Sequence, residues 1–182
     1  PPKIPALYNT NFDSDKAKFI KENYGDFDYL VASSIFTHVE KSDEFIQNVK
    51  FLMKDKGTFI LEIEYIKNIL NRLEFERFYF DRPFYFSIQG IKHLFEKHNL
   101  YINKIEHINP HGGSLRFYIC KTNNNSSSIE KSIKLEKEYF LNILSQNFHN
   151  KSLSEANKLR DFLVNLKSND KKVIGFGCPA RL

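Results

Sequence analysis

An aromatic run with two charged residues at its centre is the first motif in this sequence that could carry chemistry. It extends from residue 78 to residue 86 and encloses Asp81 and Arg82. Because burying an unpaired charge is costly, the run has two interpretations. Either its aromatic side chains fill a gap in the core while Asp81 and Arg82 point to water, or the two charges are set in the apolar wall of a ligand pocket.

A turn with paired glycines is the second such motif. His111 precedes Gly112 and Gly113, and Ser114 follows them. Adjacent glycines let a ligand approach the backbone closely, and their N–H groups can hold a phosphate or a carboxylate. Arg116 lies two residues after Ser114, so it projects from the same strand face and could add a cationic contact to that anion.

The carboxyl ends of two predicted strands supply further candidates, because ligands of open α/β sheets bind there. Ser33, Ser34 and His38 follow the first strand, whereas Glu62 and Glu64 end the second. A lone histidine such as His38 is more often a structural or surface residue than a base. Its role therefore depends on what the fold brings beside it.

Hydrophobic periodicity predicts alternating helices and strands, an order typical of βαβ units with a parallel sheet. The first strand is apolar enough to be largely buried, and the two strands that flank the glycine turn are expected to pair antiparallel at one edge. We therefore predict an α/β fold, with a partial Rossmann-like sheet that ends in an edge hairpin and is followed by a helical connection. Helices are predicted over 13–24, 42–53, 66–73, 87–98, 129–147 and 152–166, and strands over 27–32, 58–64, 100–108 and 114–120. A turn is predicted at 55–57, and Ser152 and Glu155 are predicted to form a capping box at the start of the last helix.

A run of asparagine and serine at residues 123–128 is the clearest linker in the chain. It divides the sequence into 1–122, which holds the predicted sheet, and 129–182, which holds two helices and the opening of another strand and glycine turn at 171–177. The length of 182 residues suits one ordinary domain, or one domain and the start of another. The abrupt ends of the sequence lead us to expect a fragment.

Composition restricts the classes of function. The formal net charge of +5 suits an anionic ligand, but the lysines are dispersed along the chain, which disfavours a nucleic-acid partner. Cys120 and Cys178 are far apart and show no spacing typical of a metal site or a disulfide framework, so a reducing cytoplasm is expected. The sequence contains no apolar run of membrane-spanning length and no signal-peptide pattern, so we expect no membrane association.

Several of these segments, in one consistent order, resemble the S-adenosylmethionine-dependent C-methyltransferases that act on nucleotide-linked deoxysugars. The resemblance is strongest in the aromatic run, at 79–87, and in the glycine turn, at 111–116. It implies a class I methyltransferase sheet, S-adenosylmethionine as the cofactor, and zinc only in an N-terminal region that is missing from this sequence. Residues 32–39 look like the segment after that family's fourth strand, 54–62 like the approach to its fifth, and 173–180 like the opening of its C-terminal Rossmann-like domain.

The resemblance also implies roles for individual residues. At 79–82 the family's motif ends in Glu-His, and the histidine is the proposed general base. This chain keeps Tyr79, has Asp81 in place of the glutamate, and has Arg82 where the histidine is expected, whereas His38 matches a second active-site histidine. The implied cofactor side consists of Ser33 and Ser34, and the implied sugar-nucleotide side consists of His111, Gly112, Gly113, Ser114 and Arg116.

Arginine in place of the histidine changes the chemistry that the site can perform. C-methylation of a keto-sugar requires a base that removes the proton alpha to the carbonyl group, and arginine keeps its own proton at physiological pH. Arg82 could instead hold an enolate oxygen or a phosphate electrostatically. His38, Asp81 or Tyr79 would then supply the base, or the methyl acceptor is a hydroxyl group.

The sequence therefore predicts S-adenosylmethionine-dependent methyl transfer to a nucleotide-activated sugar, either C-methylation or O-methylation. A non-catalytic relative that binds a sugar nucleotide or scaffolds a partner is the alternative. A nucleic-acid methyltransferase is a poorer hypothesis, because no basic cluster is evident. Since the resemblance implies a glycine-rich cofactor turn before Pro1, we expect the chain alone to be inactive.

Overall fold

Four strands form one mixed sheet in the computed structural model, which describes residues 10–79, 82–124, 126–145 and 148–176. Short 3-10 turns at Phe36–His38, Phe75–Arg77 and Pro110–Gly112 connect some of the elements. In chain order the longer elements are α1 (Ser14–Tyr24), β1 (Phe27–Ser33), α2 (Ser42–Leu52), β2 (Met53–Glu64), α3 (Ile66–Asn71), α4 (Ile88–Glu96), β3 (Tyr101–Ile108), β4 (Ser114–Cys120), α5 (Ser126–Ser145) and α6 (Phe148–Ser168).

The strand order across the sheet is β1-β2-β4-β3. β1 and β2 run parallel, whereas β4 pairs antiparallel with both β2 and β3. This arrangement confirms the predicted α/β fold, which is a partial Rossmann-like sheet closed at one edge by an antiparallel hairpin. The carboxyl ends of β1 and β2 lie at the same edge of the sheet, so the residues that follow them are brought to one side of the molecule.

Side-chain caps start two of the predicted helices. The carboxylate of Asp13 accepts a hydrogen bond from the backbone N–H of Lys16 at 2.8 Å, and the hydroxyl of Ser87 accepts one from Gly90 at 2.9 Å. Each bond satisfies one of the backbone N–H groups that the first turn of a helix leaves without a partner. Gly25 ends α1 with a φ of 75°, a conformation that glycine adopts readily.

The predicted turn at residues 55–57 is wrong, because these residues lie within β2. The register with β1 changes here, since Phe27 pairs with Met53 but Tyr29 pairs with Thr58. The strand therefore contains an irregularity of several residues, and the glycine that suggested a turn is part of it. The carbonyl of Phe27 would be only 2.9 Å from a Cβ at Gly57, so a side chain there would force the backbone to shift.

The prediction that β1 is largely buried is also wrong. Ala32 is buried, but Tyr29 and Val31 point to the opposite face of the sheet and are 70% and 65% exposed. β1 is the edge strand of the described sheet, and the exposure of these two side chains shows that this face is largely open to solvent. A continuous apolar run indicates a strand suited to burial on both faces, but it cannot show whether both faces are covered.

The hydrophobic core lies between the other face of the sheet and the helices. Phe36, Phe59, Phe95 and Phe117 are all fully or almost fully buried there. Two residues of α5, Ile129 and Ile133, pack into the same core. α5 begins at Ser126, inside the predicted linker at 123–128, and the division of the chain into 1–122 and 129–182 stays a prediction.

The C-terminal region differs from the prediction in two ways. Ser152 lies inside α6, where its hydroxyl donates to the carbonyl of Phe148, so it does not start a helix as a capping box would. The described residues 171–176 form no strand, and Ile174 and Phe176 are fully or almost fully exposed. None of the helices in the described parts of the chain has both the length and the apolar character needed to cross a membrane.

Candidate functional site

Glu64 is the centre of the candidate site. It is the last residue of β2 and is only 7% exposed. Arg82 binds both of its carboxylate oxygens, with Nη2 at 2.9 Å from Oε1 and Nη1 bonded to Oε2. Nη1 of Arg77 also donates to Oε2, at 3.3 Å. Removal of one partner of a buried ion pair strongly destabilises a protein, because the other charge remains buried and uncompensated.

The pKa values of the pair follow from this arrangement. Burial by itself would raise the pKa of Glu64, but the hydrogen bonds and charge of Arg82, together with the charges of Arg77 and His111, bring it below its ordinary value. Burial would lower the pKa of Arg82, but Glu64 outweighs that effect and raises it. Both groups are therefore ionised at neutral pH, and Arg82 cannot act as a base.

Aromatic rings enclose Arg82. Its guanidinium carbon is 5.2 Å from the ring centroid of Tyr79 and 5.9 Å from that of Tyr85, within the range of cation–π interactions. The hydroxyl of Tyr85 accepts from the backbone N–H of Tyr79 and donates to the carbonyl of Arg77, which fixes the loop. Asp81, the other charged residue of the run, lies outside the described residues.

The end of the aromatic run belongs to the core. Phe86 is 7% exposed and stacks on Phe36, with ring centroids 5.2 Å apart, and Phe84 stacks on Phe86 at 5.9 Å. Core filling is thus confirmed for Phe86, but the expectation that Arg82 points to water is wrong, because Arg82 is buried against Glu64. A ligand pocket at this run stays a prediction. Phe86 anchors the run in the core, while Tyr79 and Tyr85 surround a charged group.

The glycine turn folds back to the same place. His111, Gly112 and Gly113 have φ values of 55°, 81° and 116°, so three successive residues adopt positive φ. The side-chain amide of Asn68 donates to the carbonyl of Gly113 at 3.2 Å, which ties the turn to α3. Ser114 is 2% exposed and donates to the carbonyl of Pro110, so its hydroxyl supports the turn from within.

Two arginines that sequence reasoning missed lie against this turn. A Cβ built on Gly112 would be 3.1 Å from Nη1 of Arg72 and 3.5 Å from Nη2 of Arg77. Glu74 lies between them, with Oε2 at 2.7 Å from Nε of Arg77 and Oε1 at 3.7 Å from Nη1 of Arg72. The five-residue spacing of Arg72, Arg77 and Arg82 is the one sequence signal that could have suggested a shared location.

Arg116 does not lie with these arginines. It belongs to a row of four directly paired residues across the sheet, Ser33, Glu62, Arg116 and Glu106. Ser33 donates to Glu62 at 2.6 Å, and Nε of Arg116 donates to the other oxygen of Glu62 at 2.6 Å. These two hydrogen bonds hold the pKa of Glu62 below its ordinary value. The guanidinium of Arg116 is thus already compensated by Glu62 and, at 3.5 Å, by Glu106.

His38 lines a cavity of about 700 Å³ beside the carboxyl end of β1, a size within the range of ligand pockets. Ser33, Ser34, Tyr79 and Arg82 are not part of its lining. Ser34 has a φ of 56°, and its backbone N–H donates to the carbonyl of Glu62. The full lining consists of Thr10, Asn11, Phe12, Asp13, Ile35, His38, Val39, Glu40, Lys41, Glu44 and Phe45.

The structure therefore divides the predicted site residues into three places. Tyr79, Arg82 and the turn 111–113 meet around Glu64, His38 lines the cavity, and Ser33 and Arg116 belong to the polar row. Among the residues that the structure describes, no group of three or more His, Cys, Asp or Glu side chains could hold a metal ion.

Two sequence comparisons show which proteins this chain is similar to. Residues 109–182 match the family model of the C-methyltransferase C-terminal domain. The chain is also 26% identical over 112 residues to C-methyltransferase NovU of Streptomyces niveus, a match that covers 62% of this chain and 26% of that relative. The chain thus spans about a quarter of the length of the relative. Both findings confirm the predicted resemblance to the C-methyltransferase family and identify the chain as related to methyltransferases.

Proposed function

We propose that the chain is part of an S-adenosylmethionine-dependent methyltransferase that acts on a nucleotide-activated sugar. The observation that carries the proposal is the meeting of Arg82 and the turn 111–113 at Glu64 in a chain that matches a C-methyltransferase family. These two stretches are about thirty residues apart, and the family resemblance predicts that each belongs to the acceptor side of the site. The fold provides the expected edge for them, since Glu64 ends a strand of the parallel pair.

The cofactor is proposed to bind near the carboxyl end of β1. S-adenosylmethionine supplies an electrophilic methyl group when it is bound. The cavity beside His38 has a suitable size, and its walls combine the aromatic rings of Phe12 and Phe45 with polar side chains. We propose that Ser33 and Ser34 lie beside the bound cofactor, because both are at the end of β1. The hydroxyl of Ser33 also donates a hydrogen bond to Glu62.

The residues of this chain supply positioning and charge. Arg82 holds the aromatic run against Glu64, and Tyr79 is placed by its backbone bond to Tyr85. Because Arg82 remains protonated, we assign the base to His38, with Tyr79 and Asp81 as the other candidates. If none of the three removes a proton from carbon, the acceptor is a hydroxyl group and the product is an O-methyl sugar.

The proposed partner is a small sugar nucleotide rather than a nucleic acid. The arginines of the site surround one turn instead of forming an extended basic face. A cytoplasmic location is proposed as well, since nucleotide-linked sugars and S-adenosylmethionine are used there. No zinc is assigned to the described residues.

A non-catalytic relative that binds a sugar nucleotide or scaffolds a partner is the second candidate function, and one observation favours it. The side chain at the position of the expected base is buried and neutralised by Glu64, so the site lacks the proton acceptor that C-methylation requires at that position. Such a protein would bind the sugar nucleotide and transfer no methyl group.

Calorimetric titration of the full-length protein, of which this chain is proposed to be part, with S-adenosylmethionine distinguishes the enzyme from the non-catalytic relative. Measurable binding, followed by transfer of a labelled methyl group to a nucleotide-linked keto-sugar, is the expected result. His38→Asn should abolish transfer, whereas His149→Asn, on an exposed site of α6, should change neither transfer nor cofactor binding. If the folded protein does not bind S-adenosylmethionine, the enzyme proposal is excluded and the non-catalytic alternative is favoured.

A further inference from the structure

We propose that Arg72, Arg77 and the turn at Gly112 form a binding site for a diphosphate group. The inference rests on the proposed function for the nature of its ligand, a nucleotide-linked sugar. The location and charge of the site come from the contacts of the arginines. Neither arginine is part of the motifs that suggested the family.

Two guanidinium groups face one point of the turn. A side-chain carbon at Gly112 would lie 3.1 Å from Nη1 of Arg72 and 3.5 Å from Nη2 of Arg77, with Oε1 of Glu74 between them at 3.3 Å. The φ of 81° at this position favours glycine, and the missing side chain leaves the guanidinium groups close to the backbone. The turn therefore presents two cationic groups at a single location.

The positive charges of the cluster outnumber the negative charges. Arg72, Arg77 and Arg82 are accompanied by the two carboxylates of Glu64 and Glu74. Arg82 binds both oxygens of Glu64, so the negative charge of Glu64 offsets the positive charge of Arg82. Glu74 is then shared by the other two arginines, and its distance of 3.7 Å from Arg72 is longer than a hydrogen bond. One unit of positive charge remains on the side of the turn.

The two arginines differ in their exposure to solvent, and each degree of exposure has an advantage for binding phosphate. The side chain of Arg72 is 54% exposed and can contact a ligand from solvent, whereas that of Arg77 is 18% exposed and its charge is less screened by salt. Guanidinium groups bind phosphate oxygens through paired hydrogen bonds. His111 is exposed at the same turn, so its ring nitrogens add a further polar contact.

A diphosphate suits this site better than a single carboxylate does. It carries two or more negative charges and presents oxygens on two phosphorus atoms, so each arginine can bind its own phosphate. Arg116, the cation that the sequence suggested for this anion, is held by Glu62 and Glu106. The structure assigns the role to Arg72 and Arg77 instead.

Calorimetric titration of the protein with inorganic pyrophosphate, at constant ionic strength and without S-adenosylmethionine, tests the proposal. We expect saturable binding that Arg72→Gln weakens about tenfold, the usual effect of losing one charge-assisted hydrogen bond. Arg160→Gln is the matched control, because Arg160 is also exposed and paired with a single acidic neighbour on the distant helix α6. Its affinity for pyrophosphate should equal that of the unchanged protein.

Two results would overturn the proposal. One is equal affinity of the unchanged protein and Arg72→Gln, and the other is no binding of pyrophosphate by the folded protein. Because the exposed Arg72 contributes little to the core, its substitution should leave the protein folded, which circular dichroism verifies. A full-length protein that binds pyrophosphate but not S-adenosylmethionine would refute the methyltransferase proposal and leave the diphosphate site intact.

Discussion

Arg82 and Glu64 form a buried, two-bonded ion pair at the carboxyl end of β2. The arginine lies at the position for which the family resemblance predicts a general base, and the glutamate is the acidic residue that ends the second strand. The pair has two consequences. It fixes the aromatic run to the sheet, and it removes position 82 from acid–base chemistry because both partners stay ionised.

Replacement of Glu64 by glutamine should destabilise the protein strongly. The substitution keeps the shape of the side chain but leaves Arg82 charged, buried and uncompensated, a loss of about 3–5 kcal/mol in the free energy of unfolding. Urea denaturation measures this difference. The control is Glu62→Gln, in the more accessible polar row, for which we expect a clearly smaller loss. Equal losses for the two variants would show that the buried pair has no special role.

The stability of the protein should fall at acidic pH, in part because of Glu64. The folded state holds the pKa of this carboxyl below its ordinary value of 4.5, so its contribution to stability is complete above that pH. The contribution is lost as the pH falls through the lower pKa of the folded state. Free energies of unfolding measured between pH 7 and pH 3 should therefore decline more steeply for the unchanged protein than for Glu64→Gln. Parallel curves would contradict the prediction.

Gly113→Ala should destabilise the turn next to the arginines. A Cβ at this position would be 2.5 Å from Nδ2 of Asn68, and the φ of 116° is strained for any residue with a side chain. Together these effects should lower the free energy of unfolding by about 1–3 kcal/mol. Thermal denaturation provides the measurement. Gly175→Ala is the control, because a Cβ there would contact nothing within 4 Å, and it should leave the melting temperature unchanged.

Much of the fold was predictable because its signals are local. The caps at Asp13 and Ser87 start helices where the sequence placed them, and the edge hairpin follows from two strands around the glycine turn. The errors concern properties that depend on distant neighbours. Exposure of Tyr29 and Val31 depends on what packs on the far face of β1, and a short apolar segment such as 171–176 needs a neighbouring strand to pair with.

In the candidate site, too, local features were predictable from the sequence and contacts between distant residues were not. The aromatic run and the glycine turn were evident from residue types, and the strand-end rule selected Glu64. No local pattern could show that Arg72 and Arg77 pack against Gly112, some forty residues later, because that contact is created by the return of the hairpin. Arg116 was misplaced for a related reason. Its strand face was predicted correctly, but cross-strand pairing placed Glu62 and Glu106 beside it.

The remaining prediction concerns Glu136, a carboxylate of α5 that is only 1% exposed. It accepts hydrogen bonds from the backbone N–H groups of Ile88 at 2.6 Å and Gln89 at 3.1 Å, so it caps α4 from another helix. Burial raises the pKa of Tyr65, and the negative charge of Glu136, together with a hydrogen bond between the two side chains, raises it further. This carboxylate therefore joins α5 to the start of α4 and to the residue after Glu64.

Substitution of Glu136 by alanine should destabilise the first turn of α4, because two of its backbone N–H groups lose their hydrogen-bond acceptor. The loss of a helix cap lowers stability by about 0.5–2 kcal/mol, and the amides of Ile88 and Gln89 should exchange their hydrogens faster with solvent. Hydrogen exchange followed by mass spectrometry measures that local effect. Glu138→Ala is the matched control, because Glu138 is exposed on the same helix and should leave exchange in α4 unchanged. If Glu136→Ala also left the exchange of these two amides unchanged, α5 would not stabilise the start of α4, and the helix would be held by Ser87 alone.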